Sequence, residues 1–224
     1  MSIMVEVWGD YAAFNRPEFK TERVTYDCMT PSAARGILEA IYWHPGLRYY
    51  IDSIYVCNPV KTTNIRRNEV KDKINARAID TARHKGNKDI CLYAADSIQQ
   101  RAALVLKDVR YVISAHFEMT PEANEGDNPG KFQDIIKRRL LRGQCYHTPY
   151  LGVREFPASF RMWDKNQPVS TAYQGEKDLG YMLYDIDYQS ENEIEPMFFH
   201  AVLKDGRLDP VSYTHLTLPT TSRV

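Results

Sequence analysis

The 224-residue chain is 43% hydrophobic and 26% charged, and its 29 basic and 29 acidic residues cancel to no net charge. That composition excludes wholesale disorder, argues against a polyanion binder held by bulk charge, and allows one large domain or two small ones sharing a core. No stretch reaches 18 apolar residues and no basic region leads into an apolar run at the N-terminus, so neither a membrane span nor a secretory signal is expected.

From the N-terminus, Ile3 to Gly9 alternates apolar Ile, Val and Val with Met, Glu and Trp, which predicts a strand. Thr30-Pro31 offers an N-cap with proline at the first helical position. In the following SAARGILEAIYW, Ala34, Ile37, Leu38 and Ile41 recur at helical spacing, and Pro45-Gly46 stops the run. LRYYIDSIYVCNPV is rich in β-branched and aromatic residues and predicts a long strand.

Residues 61 to 106 lack a clean period and read as an insertion, with mobile parts around His84-Lys85-Gly86-Asn87. Val109 to Met119 is the clearest strand: Val109, Tyr111, Ile113, Ala115, Phe117 and Met119 point one way, and Arg110, Ser114, His116 and Glu118 the other. After the loop TPEANEGDNPG comes a second helix, KFQDIIKRRLLRG, ended by Gly143. A further strand is expected over Tyr150 to Phe156.

The order strand, helix, strand, strand, helix, strand is that of a ferredoxin-like (RRM-like) βαββαβ domain, an α+β fold spanning residues 1–156 with the insertion at about 61–106. Strands near Tyr181–Asp187 and Met197–Leu203 suggest a small C-terminal antiparallel β-sheet domain over 157–209. The last segment, VSYTHLTLPTT from Val211 to Thr221, looks like the in-frame translation of a transposon-derived sequencing adapter. Residues 210–224 are therefore expected to be a read-through scar replacing the native C-terminus, and His215 enters no site.

Cys28, Cys57, Cys91 and Cys145 form no CxxC pair, so reduced thiols in a cytoplasmic protein are expected, without a zinc site. Charge is unevenly placed. Lys61 to Asp89 holds nine Lys/Arg against four Asp/Glu, Lys131 to Arg142 five against one, and Glu176 to Asp209 three against nine. A neutral total can hide a basic groove, because screening limits charge interactions to about 8–10 Å.

Three segments carry a resemblance: VEVWGDYAAFNRPEFK, ARGILEAIYWHPGLRYYIDSI and NPGKFQDIIKRRLLRGQCYHTPYLGVREFPA. Together with MLYDIDYQSENEIEPMFFHAVLKDG, they resemble the CRISPR-associated protein family five of type I-C systems over nearly all of residues 3–207. The resemblance implies a ferredoxin-like domain backed by a small β-sheet domain, and an endoribonuclease that cuts CRISPR precursor RNA at the base of the repeat hairpin. It also implies retention on the 5′ handle within the interference complex (Cascade), beside the backbone and large subunits. The alternative is a non-catalytic handle-binding assembly subunit.

RNA needs no metal for such a cut, because the ribose 2′-OH is its own nucleophile. The protein must take that proton, stabilise the phosphorane and protonate the 5′-oxygen, giving a 2′,3′-cyclic phosphate and a 5′-OH. No cofactor or metal is expected. The family pattern is matched by Tyr42 in IYWHP and Lys131 in NPGKF. Without the resemblance, the tyrosine would read as packing and the lysine as a solvated helix residue. Some family members place a catalytic histidine directly after the lysine, whereas this chain has Phe132. His44, His116 and His147 are the candidates to replace it, each otherwise an ordinary hydrogen-bonded histidine.

For binding, Lys131, Arg138 and Arg142 lie within about 20° of one line on a helix, flanked by Lys137 and Arg139. Arg66, Arg67, Lys71 and Lys73 form a second basic stretch suited to a hairpin backbone. Tyr49, Tyr50 and Tyr55 offer base stacking or core packing.

Overall fold

A computed structural model describes residues 2–19, 22–86, 91–187 and 195–210. The expected adapter-derived segment from Val211 on, His215 included, lies outside the described residues, as does Asn87. In chain order the elements are β1 (Ser2–Ala12), β2 (Arg23–Val24), α1 (Pro31–Ile41), β3 (Leu47–Val56), β4 (Lys61–Val70), α2 (Ala76–Lys85), β5 (Ile98–Met119), α3 (Pro129–Arg142), β6 (Ser159–Met162), β7 (Glu176–Asp187), β8 (Glu195–Lys204) and β9 (Arg207–Leu208). The strands form one large sheet in the order β6-β1-β5-β3-β9-β8-β7, with β2 and β4 paired to β5 off that path. Among the described residues only the β2–β5 pairing is parallel. The architecture is mixed α and β, a large antiparallel sheet with few helices.

Period-two alternation turns Ile3, Val5 and Val7 of β1 and Tyr111, Ile113 and Ala115 of β5 into one buried face. Two helices cover it. In α1, the Thr30 hydroxyl accepts from Ala33 N and Pro31 opens the first turn, while Ala34, Ile37, Leu38 and Ile41 are buried. In α3, the Asn128 side chain accepts from Lys131 N at 2.9 Å, Phe132, Ile136 and Leu140 are buried, and Gly143 in the left-handed region closes the helix. At 11 and 14 residues these helices are marginal in isolation. Each buried Leu, Ile or Phe contributes about 1.5–3 kcal/mol, so packing on the sheet holds them.

Two sequence expectations change. The insertion is regular: β4 pairs with the first half of β5 from Lys61↔Lys107 to Val70↔Ile98, an arm that encloses α2. The arm shows no apolar period because most of β4 is exposed or half-exposed, so nothing selects hydrophobic residues every second position. Of the segment expected to be mobile, His84 and Lys85 close α2 and Gly86 caps it.

The strand expected over Tyr150 to Phe156 is instead a chain of turns, and the edge beside β1 is supplied by Ser159–Met162. Gly152 sits at φ +86, and a Cβ there would lie 2.0 Å from the Ala13 carbonyl oxygen. The backbone approaches too closely for a strand with side chains.

The C-terminal strands β7 and β8 reach β3 through β9. A two-pronged Arg35–Asp185 ion pair fastens β7 to α1. Among the described residues, no helix is long and apolar enough to cross a membrane.

Candidate active site

The carbonyls left without partners at the C-terminus of α1 are taken up by groups from elsewhere in the chain. Ala40 O accepts from Tyr146 N at 2.9 Å and His147 N at 3.3 Å. Ile41 O accepts from the Arg139 guanidinium of α3 at 2.5 Å, and Tyr42 O from the Tyr49 hydroxyl at 2.9 Å. The chain leaves the helix at Tyr42, whose backbone is extended. Its ring lies 6.2 Å from that of Phe132, with the Arg139 guanidinium 5.0 Å from the Tyr42 ring centroid.

Phe132 is fully buried and is the hub of the site. Besides Tyr42 it meets His44 at 5.1 Å and the edge of Phe117 at 6.4 Å. Beside this aromatic cluster stands Asp127. Its carboxylate accepts from Lys131 Nζ at 2.7 Å and from Asn124 N at 2.9 Å, and lies 3.8 Å from His44 Nε2.

Gly46 lets the Asp127 loop approach. A Cβ at Gly46 would fall 2.5 Å from the Ala123 Cα, so any side chain would push the loop away.

These contacts decide protonation. The hydrogen bond from Lys131, followed by that from Asn124 N–H, holds the Asp127 carboxyl below its ordinary range. The same carboxylate raises the Lys131 ammonium. Burial raises the Tyr42 phenol, outweighing the attraction of Arg139 and Lys131. Tyr42 and Lys131 therefore both keep their protons near neutrality, which suits neither of them to act as a base. In His44, Nδ1 accepts from Gly46 N at 3.1 Å, so the neutral ring carries its proton on Nε2. That nitrogen faces Asp127 and the Asn124 amide.

Tyr42, His44 and Lys131 are thus brought together around Phe132 and Asp127. His116 is not. It pairs with Asp52 at 2.6 Å and stacks on Tyr50 at 5.3 Å. Its chain neighbour Phe117 is the residue that packs on Phe132, and alternation along the strand sends His116 to the opposite face of the sheet.

The basic residues also divide. Arg139 turns into the site, whereas Arg138 and Arg142 stay exposed on α3. Lys137 lines a separate cavity of about 220 Å³ with Ser2, Met162 and Trp163. Arg67 is tied to Glu155 at 2.9 Å and lies over the Phe156 ring, while Arg66, Lys71 and Lys73 are exposed on the arm. Arg66 pairs with Ala102 on β5. Phe117 lies further along the same strand, up to roughly 50 Å away at about 3.3 Å per residue.

One participant, Asp127, went unnoticed in the sequence, and another, Arg139, was read there for a different role. Asp127 could have been found from its i,i+4 spacing to Lys131. Arg139, counted there as a flanking cation, showed no sign of reaching into α1. Trp43 and Tyr146, 59% and 81% exposed, are large aromatic side chains on the two segments that meet at the end of α1.

The sequence profile described as CRISPR-associated protein (Cas_Cas5) matches residues 2–211. The chain is 48% identical over 212 residues to the CRISPR pre-crRNA endoribonuclease Cas5d of Mannheimia succiniciproducens, across 92% of this chain and 93% of that protein. It is 39% identical over 224 residues to the CRISPR pre-crRNA endoribonuclease Cas5d of Thermus thermophilus, across 92% and 90% of the two chains. A crystal structure of a CRISPR-associated protein superposes with a TM-score of 0.72 at 21% identity, covering 97% of this chain and 95% of that one, and so shares its fold.

Proposed function

Because this chain belongs to the CRISPR-associated protein (Cas_Cas5) family, we propose that it is the pre-crRNA endoribonuclease of a type I-C system. It cleaves precursor RNA at the base of the repeat hairpin without a metal. It then stays on the 5′ handle beside the backbone and large subunits of the interference complex, in the cytoplasm. The observation that carries this reading is the Lys131 ammonium, aimed by Asp127 and standing in one cluster with Tyr42 around Phe132.

In this reading the scissile phosphate sits between Lys131 and Tyr42. Lys131 has N–H groups left over after bonding Asp127, and these stabilise the charge growing on the phosphorane. Tyr42 keeps its proton and donates it to the departing 5′-oxygen. His44 is occupied by Gly46 N–H on one nitrogen and by the Asp127–Asn124 side on the other, so its role is to hold the Asp127 loop in place. Arg138 and Arg142 track the nearby backbone, while Arg66, Lys71 and Lys73 on the arm meet a more distant part of the RNA.

The order β6-β1-β5-β3, with α1 after β1 and α3 after β5, supports a ferredoxin-like reading of the first part of the chain. The boundary then falls after β6, with the remaining strands as a β-rich extension. The arm is an insertion within the first part.

Incubating repeat RNA with the protein in EDTA tests the function. Cleavage is expected to give a 2′,3′-cyclic phosphate and a 5′-OH, and a single 2′-deoxy substitution at the scissile nucleotide blocks it. The second reading, a non-catalytic handle-binding subunit, is favoured by Phe132 standing where some relatives have histidine. Tight binding without any cut supports it instead.

A further inference from the structure

Cleavage by the 2′-hydroxyl needs a proton acceptor, and the two groups that face the phosphate in the reading above are both proton holders. The described histidines differ in their availability. Both ring nitrogens of His44 face neighbours. His116 is paired with Asp52 across the sheet, His200 on β8 is paired with Asp178 on β7, and His84 lies on the arm. His147 is different. Its backbone N–H reaches Ala40 O, two residues before Tyr42, and the neighbouring Tyr146 N–H reaches the same oxygen.

The loop is fixed at its other end too, where Gln144 N donates to Arg139 O at 2.9 Å, and Arg139 is the residue lying against the Tyr42 ring. Two anchors thus hold the loop 143–147 against the end of α1, and the loop carries an exposed imidazole. Among the described residues that imidazole has no hydrogen bond or ion pair, only the edge of the Tyr146 ring at 5.8 Å.

We propose that His147 is the proton acceptor for the 2′-hydroxyl, the imidazole that replaces the one some relatives carry next to the lysine. The assignment rests on the endoribonuclease reading above. In the step, His147 takes the 2′-OH proton and the 2′-oxygen bonds to phosphorus. The P–O5′ bond breaks with its electron pair on the 5′-oxygen, which takes the Tyr42 proton. The products are a 2′,3′-cyclic phosphate and a 5′-OH, and exchange with water returns one proton to Tyr42 and removes one from His147. An imidazole suits the acceptor role because it exchanges protons near neutrality.

The test uses the full chain, single-turnover cleavage of repeat RNA in EDTA, and separate measurement of RNA affinity for wild type, His147→Ala and His147→Gln. Both variants are expected to lose about 10²-fold in rate with affinity within about twofold of wild type. Free imidazole is expected to restore part of the His147→Ala rate and none of the His147→Gln rate, since glutamine leaves no room for it. Wild-type rates in either variant, a matching loss of affinity, or a defect that imidazole leaves unchanged in His147→Ala each overturn the assignment. A wild-type protein that binds the RNA and never cuts it overturns the endoribonuclease reading itself, which keeps the two failures apart.

Discussion

Asp127 precedes the Asn128 cap of α3 and Lys131 lies in its first turn, and the 2.7 Å bond between them has one closed end and one open end: the aspartate side chain is 2% exposed, the lysine 52%. An ion pair this open adds little to stability. Its effect is geometric, since a long side chain that would otherwise sample many rotamers is aimed at one place.

Asp127→Asn is therefore expected to lower single-turnover cleavage about tenfold or more through misplacement of the ammonium, while RNA affinity holds or tightens. The pH dependence has a definite sign. The depressed Asp127 carboxyl keeps the pair charged above the ordinary carboxylate value of about 3.9, and the pair is lost as pH falls through the lower folded value. The raised Lys131 ammonium keeps it charged below about 10.4, and the pair is lost as pH rises through the higher folded value. An NMR titration of the lysine side chain should show the Lys131 midpoint move down in Asp127→Asn. An unmoved midpoint would mean that the bond does not govern the lysine.

Lys131→Ala is expected to cut cleavage by about 10²–10³-fold, the loss typical of one preorganised donor to a charged transition state, and to leave the urea midpoint where it was. RNA affinity, measured by fluorescence anisotropy, should fall far less than the rate. Equal losses in both would reduce the lysine to an anchor.

Phe132 is buried among Tyr42, His44 and Phe117, so Phe132→Ala should cost about 3–5 kcal/mol in urea unfolding. Phe132→His tests the replacement seen in some relatives. The imidazole would sit in a pocket built of rings, and an unsatisfied ring nitrogen there costs about 1–3 kcal/mol. We expect loss of stability and no gain in cleavage, and a faster enzyme would restore the catalytic role to that position.

The arm is expected to act on binding alone. Replacing Arg66, Lys71 and Lys73 together by alanine should weaken RNA affinity and flatten its salt dependence by about one unit of slope for each phosphate no longer neutralised. Cleavage at saturating RNA should stay the same, because these side chains lie far along β5 from the Tyr42 site. An unchanged salt slope would remove the arm from the RNA path.

Local patterns in the sequence were enough to locate β1, α1, β3, the second half of β5 and α3. Each buries one face, and burial on one face leaves a period that can be read without coordinates. The caps Thr30 and Gly143 were legible for the same local reason, whereas the Asn128 cap, inside the stretch read as a loop, emerged from the structure. The arm and the turns around Gly152 were not. The arm buries too little to show a period, and the turns follow from a close approach to Ala13, more than a hundred residues away in the chain.

The site divides along the same line. Tyr42 and Lys131 were named through the family resemblance, but only the packing of α1 against α3 through Phe132 and Arg139 sets their rings and charges side by side. Whether a histidine is free, paired or across the sheet depends on what the fold places against its nitrogens. That is why His44, His116 and His147 were equivalent candidates in the sequence and are three different chemical groups in the folded protein.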